Sequence, residues 1–156
     1  MAVATQQDRI ILSFHQVGRR VVVEPENNDK FVTTAREAAA ACQRHQEIKA
    51  FVAQLRKVMN RLASWIVAHP SDIQGAFLTV RDVGLLFLLI RNSVPYNGGL
   101  ETALTKLDLE IANSDEFDLL QLNALALPKS SDVSYRTFLV ADQTWTFEGW
   151  QTRTRT

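Results

Sequence analysis

With 156 residues, of which 46% are hydrophobic, the chain is long enough for one domain with a single core and short for two. Its 17 basic and 17 acidic side chains cancel, so no overall field would draw it to nucleic acid or to an anionic membrane. The single cysteine, Cys42, rules out a disulfide framework and points to a reducing compartment. No apolar run approaches the ~20 residues that span a bilayer, and residues 1–9 lack the apolar core of a secretory signal, so we expect a cytoplasmic protein without membrane contact.

The first predicted element is a β-hairpin. Its apolar residues alternate with others on both sides of the turn-like segment 15–18; they are Ile10, Leu12 and Phe14 before it and Val21 and Val23 after it. Such alternation places every second side chain on one face of a sheet. The polar residues 24–30 contain a proline and adjacent asparagines, which predict a loop after the hairpin.

Residues 33–69 carry the clearest helical pattern in the chain. Apolar residues step by alternating fours and threes along one line, and a second line recurs every seven residues beside it. The two lines consist of Ala41, His45, Ile48, Val52, Leu55, Met59, Leu62, Ile66 and His69, and of Phe51, Val58 and Trp65. A stripe three positions wide per heptad is typical of a helix packed on a sheet or in a bundle, not of a coiled coil.

The ends of this helix are also predicted by sequence. Thr34 and Glu37 have the spacing of a capping box, and Pro70 marks the stop. Without a break the helix would be about 55 Å long, at 1.5 Å per residue, which is long for one small domain. We therefore expect a bend or break near residues 43–46; the alternative is that the Ala-rich residues 35–42 project and pack on another copy or a partner.

A second hairpin is predicted from the apolar runs 76–80 and 85–91, which flank the polar residues 81–84. The return strand shows little polar alternation, as expected of a central strand buried on both faces. A turn at residues 95–99 then leads into a second amphipathic helix. Its predicted buried line is Leu100, Leu104, Leu107 and Ile111.

The remaining third of the chain is less clear. Residues 117–127 alternate at Leu120, Leu122, Ala124 and Ala126, which favours a strand, whereas their Leu and Ala content and a cap at Ser114 would suit a helix that ends before Pro128. A final short strand is predicted over residues 135–140. The fold class that follows is α+β, a mainly antiparallel sheet of two hairpins plus one or two further strands, packed against one long and one shorter helix. We place this single domain at residues 1–142 and an aromatic, then basic, C-terminal tail at residues 143–156.

No chemical signature stands out. The chain lacks a glycine-rich phosphate loop, a nucleophile elbow and a pair of histidines at metal-binding spacing. Cys42 and His45 would supply two of the four ligands that zinc needs, so we expect Cys42 to be a small core residue instead. The acidic cluster Asp108, Glu110, Asp115, Glu116 and Asp118 is expected to be exposed rather than catalytic. We predict no catalytic residue, no metal and no cofactor.

Two surfaces are candidates for binding. Trp145, Phe147 and Trp150 in the tail are predicted to bind a protein partner, because large aromatic side chains near a terminus need a contact surface. The alternative is that this segment folds back as an edge strand and caps its own core. Arg56, Lys57 and Arg61 form a basic surface on the polar side of the long helix, but no stacking aromatics are interleaved there, which disfavours nucleic-acid binding.

The function expected from these features is non-enzymatic protein–protein interaction or assembly, as an adaptor or small regulatory subunit, with self-association into a homodimer as one form of it. Two alternatives stay open. One is a small enzyme of unrecognised class with a pocket near residues 96–118. The other is nucleic-acid binding through the basic face of the long helix.

Overall fold

The computed structural model describes residues 9–14, 19–26, 31–42, 48–81 and 84–150. In chain order its strands and helices are β1 (Ile10–Phe14), β2 (Arg19–Pro25), α1 (Phe31–Ala41), α2 (Ile48–Ala68), β3 (Ile73–Arg81), β4 (Gly84–Arg91), α3 (Gly98–Ala112), β5 (Leu122–Leu127), α4 (Asp132–Tyr135) and β6 (Thr144–Glu148). Short 3₁₀ helices, Asp115–Phe117 and Arg136–Phe138, follow α3 and α4. None of the helices described here has the length and apolar character needed to cross a membrane.

The strands form one six-stranded sheet in the order β1-β2-β6-β3-β4-β5. Neighbouring strands are antiparallel except for β4 and β5, which are parallel. The predicted α+β class is confirmed, and both predicted hairpins are present as β1–β2 and β3–β4. The turn residues 15–18 and 82–83 lie outside the described residues.

β6 joins the two hairpins, because it pairs with β2 on one side and with β3 on the other. Thr79 and Thr144 face each other in this pairing, with their buried hydroxyl oxygens 2.8 Å apart. Residues 144–150 therefore belong to the domain rather than to a tail after residue 142, and β6 is an interior strand, not an edge strand. Alternation along a segment predicts a strand but not its neighbours, so the sequence could not reveal this insertion.

The long helical pattern corresponds to two helices. α1 ends at Ala41 and α2 begins at Ile48, and residues 43–46, where we expect a bend or break, lie outside the described residues. The predicted capping box is wrong, because α1 begins three residues before Thr34. The buried Thr34 hydroxyl instead donates to the carbonyl oxygen of Asp142, 3.3 Å away, and ties α1 to the segment before β6.

α2 places its predicted apolar stripe in the core on one face of the sheet. The stripe residues with no exposed surface are Leu55, Val58, Met59, Leu62 and Ile66. Trp65 meets Phe87 of β4 edge to face, with ring centroids 6.3 Å apart. Truncation of one such aliphatic side chain to alanine typically costs ~2–5 kcal/mol, so this helix contributes a large part of the stability of the fold.

α3 follows its prediction, and its buried residues are Leu100, Leu104, Leu107 and Ile111. The Asn97 side-chain oxygen caps its start by accepting the backbone N–H of Leu100 at 3.1 Å. The helix carries the chain from the end of β4 back to the start of β5. A crossover of this kind is what allows two consecutive strands to run parallel.

Residues 117–127 form a strand only in their second half. β5 spans Leu122–Leu127, whereas the preceding 3₁₀ helix is capped by Ser114, whose hydroxyl accepts the backbone N–H of Glu116. The predicted alternation holds in β5, since Leu122, Ala124 and Ala126 pack against the helix-side core.

The strand predicted over residues 135–140 is wrong. Tyr135 ends α4, and residues 136–138 form a 3₁₀ helix. Tyr135 packs with Phe77, Leu88 and Ile90 on the sheet face opposite the long helices. The apolar side chains of this segment therefore cover a sheet face instead of entering the sheet.

Candidate functional site

Trp145, Phe147 and Trp150, the predicted partner-binding residues, lie in the core. Their exposed fractions are 0%, 1% and 3%. The Trp145 ring centroid is 6.3 Å from that of Phe31, and the Phe147 centroid is 5.9 Å from that of Phe87. Buried rings offer no contact area, so these three side chains supply no binding surface in this fold.

The predicted basic surface on α2 is partly neutralised. Arg56 and Lys57 are exposed, and the Arg56 guanidinium lies 5.6 Å from the centre of the Phe31 ring. Arg61 Nη2 is 2.6 Å from a carboxylate oxygen of Glu110 on α3. One of the three cations therefore pairs with the acidic segment of the chain, which weakens the case for contacts with a phosphate backbone.

Cys42 is buried at the end of α1, as expected of a small core residue, and His45 lies outside the described residues. Within the described part of the chain, no group of three or more His, Cys, Asp and Glu is arranged to hold a metal ion.

The acidic residues between 108 and 118 have different surroundings. Glu110 pairs with Arg61, and Asp118 accepts a hydrogen bond from Gln54 Nε2 at 2.7 Å, so two of these carboxylates contact α2. Asp108 is half-buried, and burial raises the pKa of its carboxyl group. Asp115 and Glu116 are exposed, as predicted.

A groove of about 730 Å³ lies along α3, within the region where a pocket was expected. Tyr96 and Leu109 give it an apolar lining, and they are 75% and 57% exposed. Glu101 also lines the groove, but its carboxylate is 3.4 Å from Nη1 of the buried Arg91. The groove thus offers apolar contact area beside a carboxylate that is already paired.

The outer edge of β5 is unpaired within the described part of the chain. β5 is the last strand of the sheet, and its sequence, Leu-Asn-Ala-Leu-Ala-Leu, contains no charge. None of its side chains is fully buried, and Leu125 is 37% exposed on the face away from the long helices. Edge strands that stay monomeric usually carry a charge, a proline or a bulge; β5 has no charge and no proline, and its register with β4 is continuous.

The hydrogen bonds to β4 determine which backbone groups of β5 face outward. The Leu85 N–H donates to the carbonyl oxygen of Gln121 at 2.8 Å, and Leu85 lies opposite Leu122. Because successive residues of a strand direct their backbone groups to opposite sides, the N–H and C=O groups of Leu122, Ala124 and Ala126 point away from β4. The edge thus presents three donors and three acceptors in a regular row.

The alternating residues of β5 are predicted from the sequence, but the position of this strand at the edge of the sheet is not. A signal was present, because a strand, a helix and a second strand follow one another from residue 84 to residue 127, and this order is typical of a parallel pair. The lack of charge in β5 was the second signal. Neither of them specifies which strand lies at the edge, because that depends on where β6 inserts.

Comparison with known proteins gives no match to a family model, to a curated protein or to a solved structure.

Proposed function

We propose that this protein is a non-enzymatic interaction or assembly factor, of the adaptor or small regulatory subunit kind, that acts in the cytoplasm and binds through the outer edge of β5. The observation that carries the proposal is the uncharged and partly exposed strand at that edge. A strand edge of this kind binds an extended segment of another chain by adding it to the sheet.

The edge has enough hydrogen-bonding capacity for such an addition. Leu122, Ala124 and Ala126 each present an N–H and a C=O outward, so an added strand forms up to six main-chain hydrogen bonds. Each of these hydrogen bonds contributes ~0.5–1.5 kcal/mol to the free energy of binding, after the hydrogen bonds to water that it replaces are subtracted. Leu125 adds apolar contact on the face where it is 37% exposed.

The test compares the full-length protein with an edge variant in affinity capture from the native cell, with quantitative mass spectrometry. Ala124→Pro removes one outward N–H and leaves the hydrogen bonds to β4 in place, because proline is tolerated at an edge where its N–H would face away from the sheet. The control is Val133→Lys, a change at a side chain on α4 that is 82% exposed. We expect captured partners to be lost with Ala124→Pro and retained with Val133→Lys. If both variants capture the same partners as the wild type, the proposal is wrong.

A second candidate function is binding of a small molecule in the groove along α3, as the first step of an enzymatic reaction. The observation that favours it is the groove of about 730 Å³ with Tyr96 and Leu109 exposed in its lining. Pockets of this volume are within the range that holds drug-sized ligands. Ligand-detected NMR with a library of aromatic fragments tests it, and hits that Leu109→Arg abolishes would support it. A library without hits, or hits that persist in Leu109→Arg, would argue against it.

A further inference from the structure

The outward backbone groups of β5 are arranged so that the strand can pair with another copy of itself. In antiparallel pairing, hydrogen-bonded residues must present their N–H and C=O groups to each other. A register centred on Ala124 achieves this for every outward residue: Ala124 faces Ala124 of the second copy, and Leu122 faces Ala126 in both directions. All six hydrogen bonds of the edge form. A register shifted by one outward pair toward the C-terminal end of β5 would set Leu122 against Pro128, which has no N–H to donate.

The side chains fit this register on both faces of the sheet. Ala124 is small and lies on the helix side, so the two backbones can approach where they cross the symmetry axis. On the other face Leu125 of each copy lies opposite Asn123 of the other, which is an uncharged pairing. No like charges meet within the strand pair.

The charges that flank β5 are complementary in the same arrangement. Asp115, Glu116 and Asp118 precede the strand and are exposed, whereas Lys129 follows it and is exposed. Antiparallel pairing brings the end of one strand to the start of the other, so Lys129 of each copy approaches the segment of the other that contains Asp118, whose carboxylate also accepts a hydrogen bond from Gln54. The two-fold axis makes this attraction occur twice. With 17 basic and 17 acidic side chains, each copy has no net charge to repel the other.

We infer that the occupant of the β5 edge is a second copy of this chain, paired antiparallel about a two-fold axis at Ala124; this inference rests on the function proposed above. The two sheets join into one of twelve strands, with the α3 helices of both copies on the same side. A two-fold axis closes the pairing, so assembly stops at a dimer. Because a six-residue edge is small compared with a standard interface, we expect a weak dimer with a dissociation constant of about 1–100 µM.

Sedimentation equilibrium of the purified full-length protein from about 1 to 300 µM tests the inference, since this range brackets the expected dissociation constant. We expect a monomer–dimer equilibrium for the wild type and for Val133→Lys. Ala124→Pro and Leu125→Lys should each raise the dissociation constant at least ~10-fold, because each removes a contact made in both halves of the dimer. Circular dichroism confirms that each variant is folded.

The charge pairs give a test of orientation. Asp118→Lys sets two cations against each other at both ends of the strand pair, and Lys129→Glu sets two anions against each other. Each variant alone should dimerise ~3- to 30-fold more weakly than the wild type, from two exposed ion pairs lost. An equimolar mixture of the two should recover wild-type affinity, since both ends of the mixed dimer then join opposite charges.

Three results would overturn the inference. They are a monomer at every concentration, a dimer that Ala124→Pro and Leu125→Lys leave unchanged, and a mixture that dimerises no better than its two components. If Asp118→Lys does not fold, hydrogen exchange of the wild type decides: the amides of Leu122, Ala124 and Ala126 must slow as protein concentration rises. A monomeric protein whose captured partners still depend on the β5 edge would leave the proposed function standing and remove only the self-pairing.

Discussion

Trp145→Ala is the most direct test of the position of β6. In this fold Trp145 lies in an interior strand, opposite Pro25 of β2 and Leu78 of β3, with none of its surface exposed. In a C-terminal tail the same substitution would leave the domain intact. The two arrangements therefore predict very different changes in the free energy of unfolding.

The magnitude follows from the burial of the ring. Truncation of a buried Trp or Phe to alanine typically costs ~3–5 kcal/mol. Trp145 differs, because among the described residues no hydrogen-bond partner contacts its buried indole N–H, and removing that group recovers about 1 kcal/mol, the lower end of the cost of an unpaired buried donor. We therefore expect a loss of ~2–4 kcal/mol for Trp145→Ala and of ~3–5 kcal/mol for Phe147→Ala, whose ring is 1% exposed and has no polar atom.

Urea denaturation followed by far-UV circular dichroism measures both losses. A domain of this size typically has ~5–15 kcal/mol of stability, so each variant should remain folded in water at a clearly lower midpoint. Val133→Ala, at a side chain that is 82% exposed, is the control and should change the stability by less than ~0.5 kcal/mol. A loss below ~1 kcal/mol for Trp145→Ala would refute the interior position of β6, and a larger loss for Trp145→Ala than for Phe147→Ala would refute the argument from the unpaired N–H.

Three further predictions concern a glycine, an ion pair and a carboxyl group. Gly149 has a φ of 90°, and a Cβ at this position would lie 2.6 Å from a backbone oxygen of β2, so Gly149→Ala should lower the free energy of unfolding by ~1–3 kcal/mol, as measured by thermal unfolding. Gly98 is the control, because the atom nearest to a Cβ there belongs to a flexible ring edge 3.4 Å away. Gly98→Ala should change the free energy of unfolding by less than ~0.5 kcal/mol. The exposed Arg61–Glu110 ion pair should contribute ~0.2–1 kcal/mol in a double-mutant cycle, and this coupling should shrink in 1 M salt; a coupling that salt leaves unchanged would contradict the electrostatic reading. Burial raises the pKa of the Asp108 carboxyl group above 3.8, so the folded state favours the neutral carboxyl group. The stabilisation that comes with the neutral form is present below pH 3.8 and is lost as the pH rises through the raised pKa. Asp108→Asn should therefore be more stable than the wild type at neutral pH and equal to it at low pH, and equal stability at both would count against this assignment.

The helices show how far local pattern extends. The stripe of α2 and the buried line of α3 were predicted residue by residue, because a helix face is set by contacts three and four residues apart. The start of α1 was not, because Thr34 forms its hydrogen bond with Asp142, more than a hundred residues away. The spacing of Thr34 and Glu37 can occur at the start of a helix or within its first turn, where the threonine contacts another segment. Spacing alone therefore does not show which of these two positions the threonine occupies.

The candidate site was predicted less well, for a related reason. Their position near the terminus predicts a surface for the aromatic side chains of residues 145–150, whereas no local pattern marks β5 as the edge of the sheet. Burial of an aromatic side chain and exposure of a strand edge are both decided by which strands are neighbours. Which strands are neighbours depends on contacts between segments that are far apart in the sequence. The spacing of residues within one segment does not show these contacts.

Local sequence pattern predicts the α+β class, the two hairpins, the apolar faces of α2 and α3, and the alternation in β5, because each depends on a period of two or 3.6 residues within one segment. The position of β6 between β2 and β3 appears only in the folded sheet. That insertion buries Trp145 and Phe147, joins the two hairpins and leaves β5 at the edge. The surface on which the proposed function depends is thus a consequence of strand order, and strand order depends on contacts between segments that are far apart in the sequence.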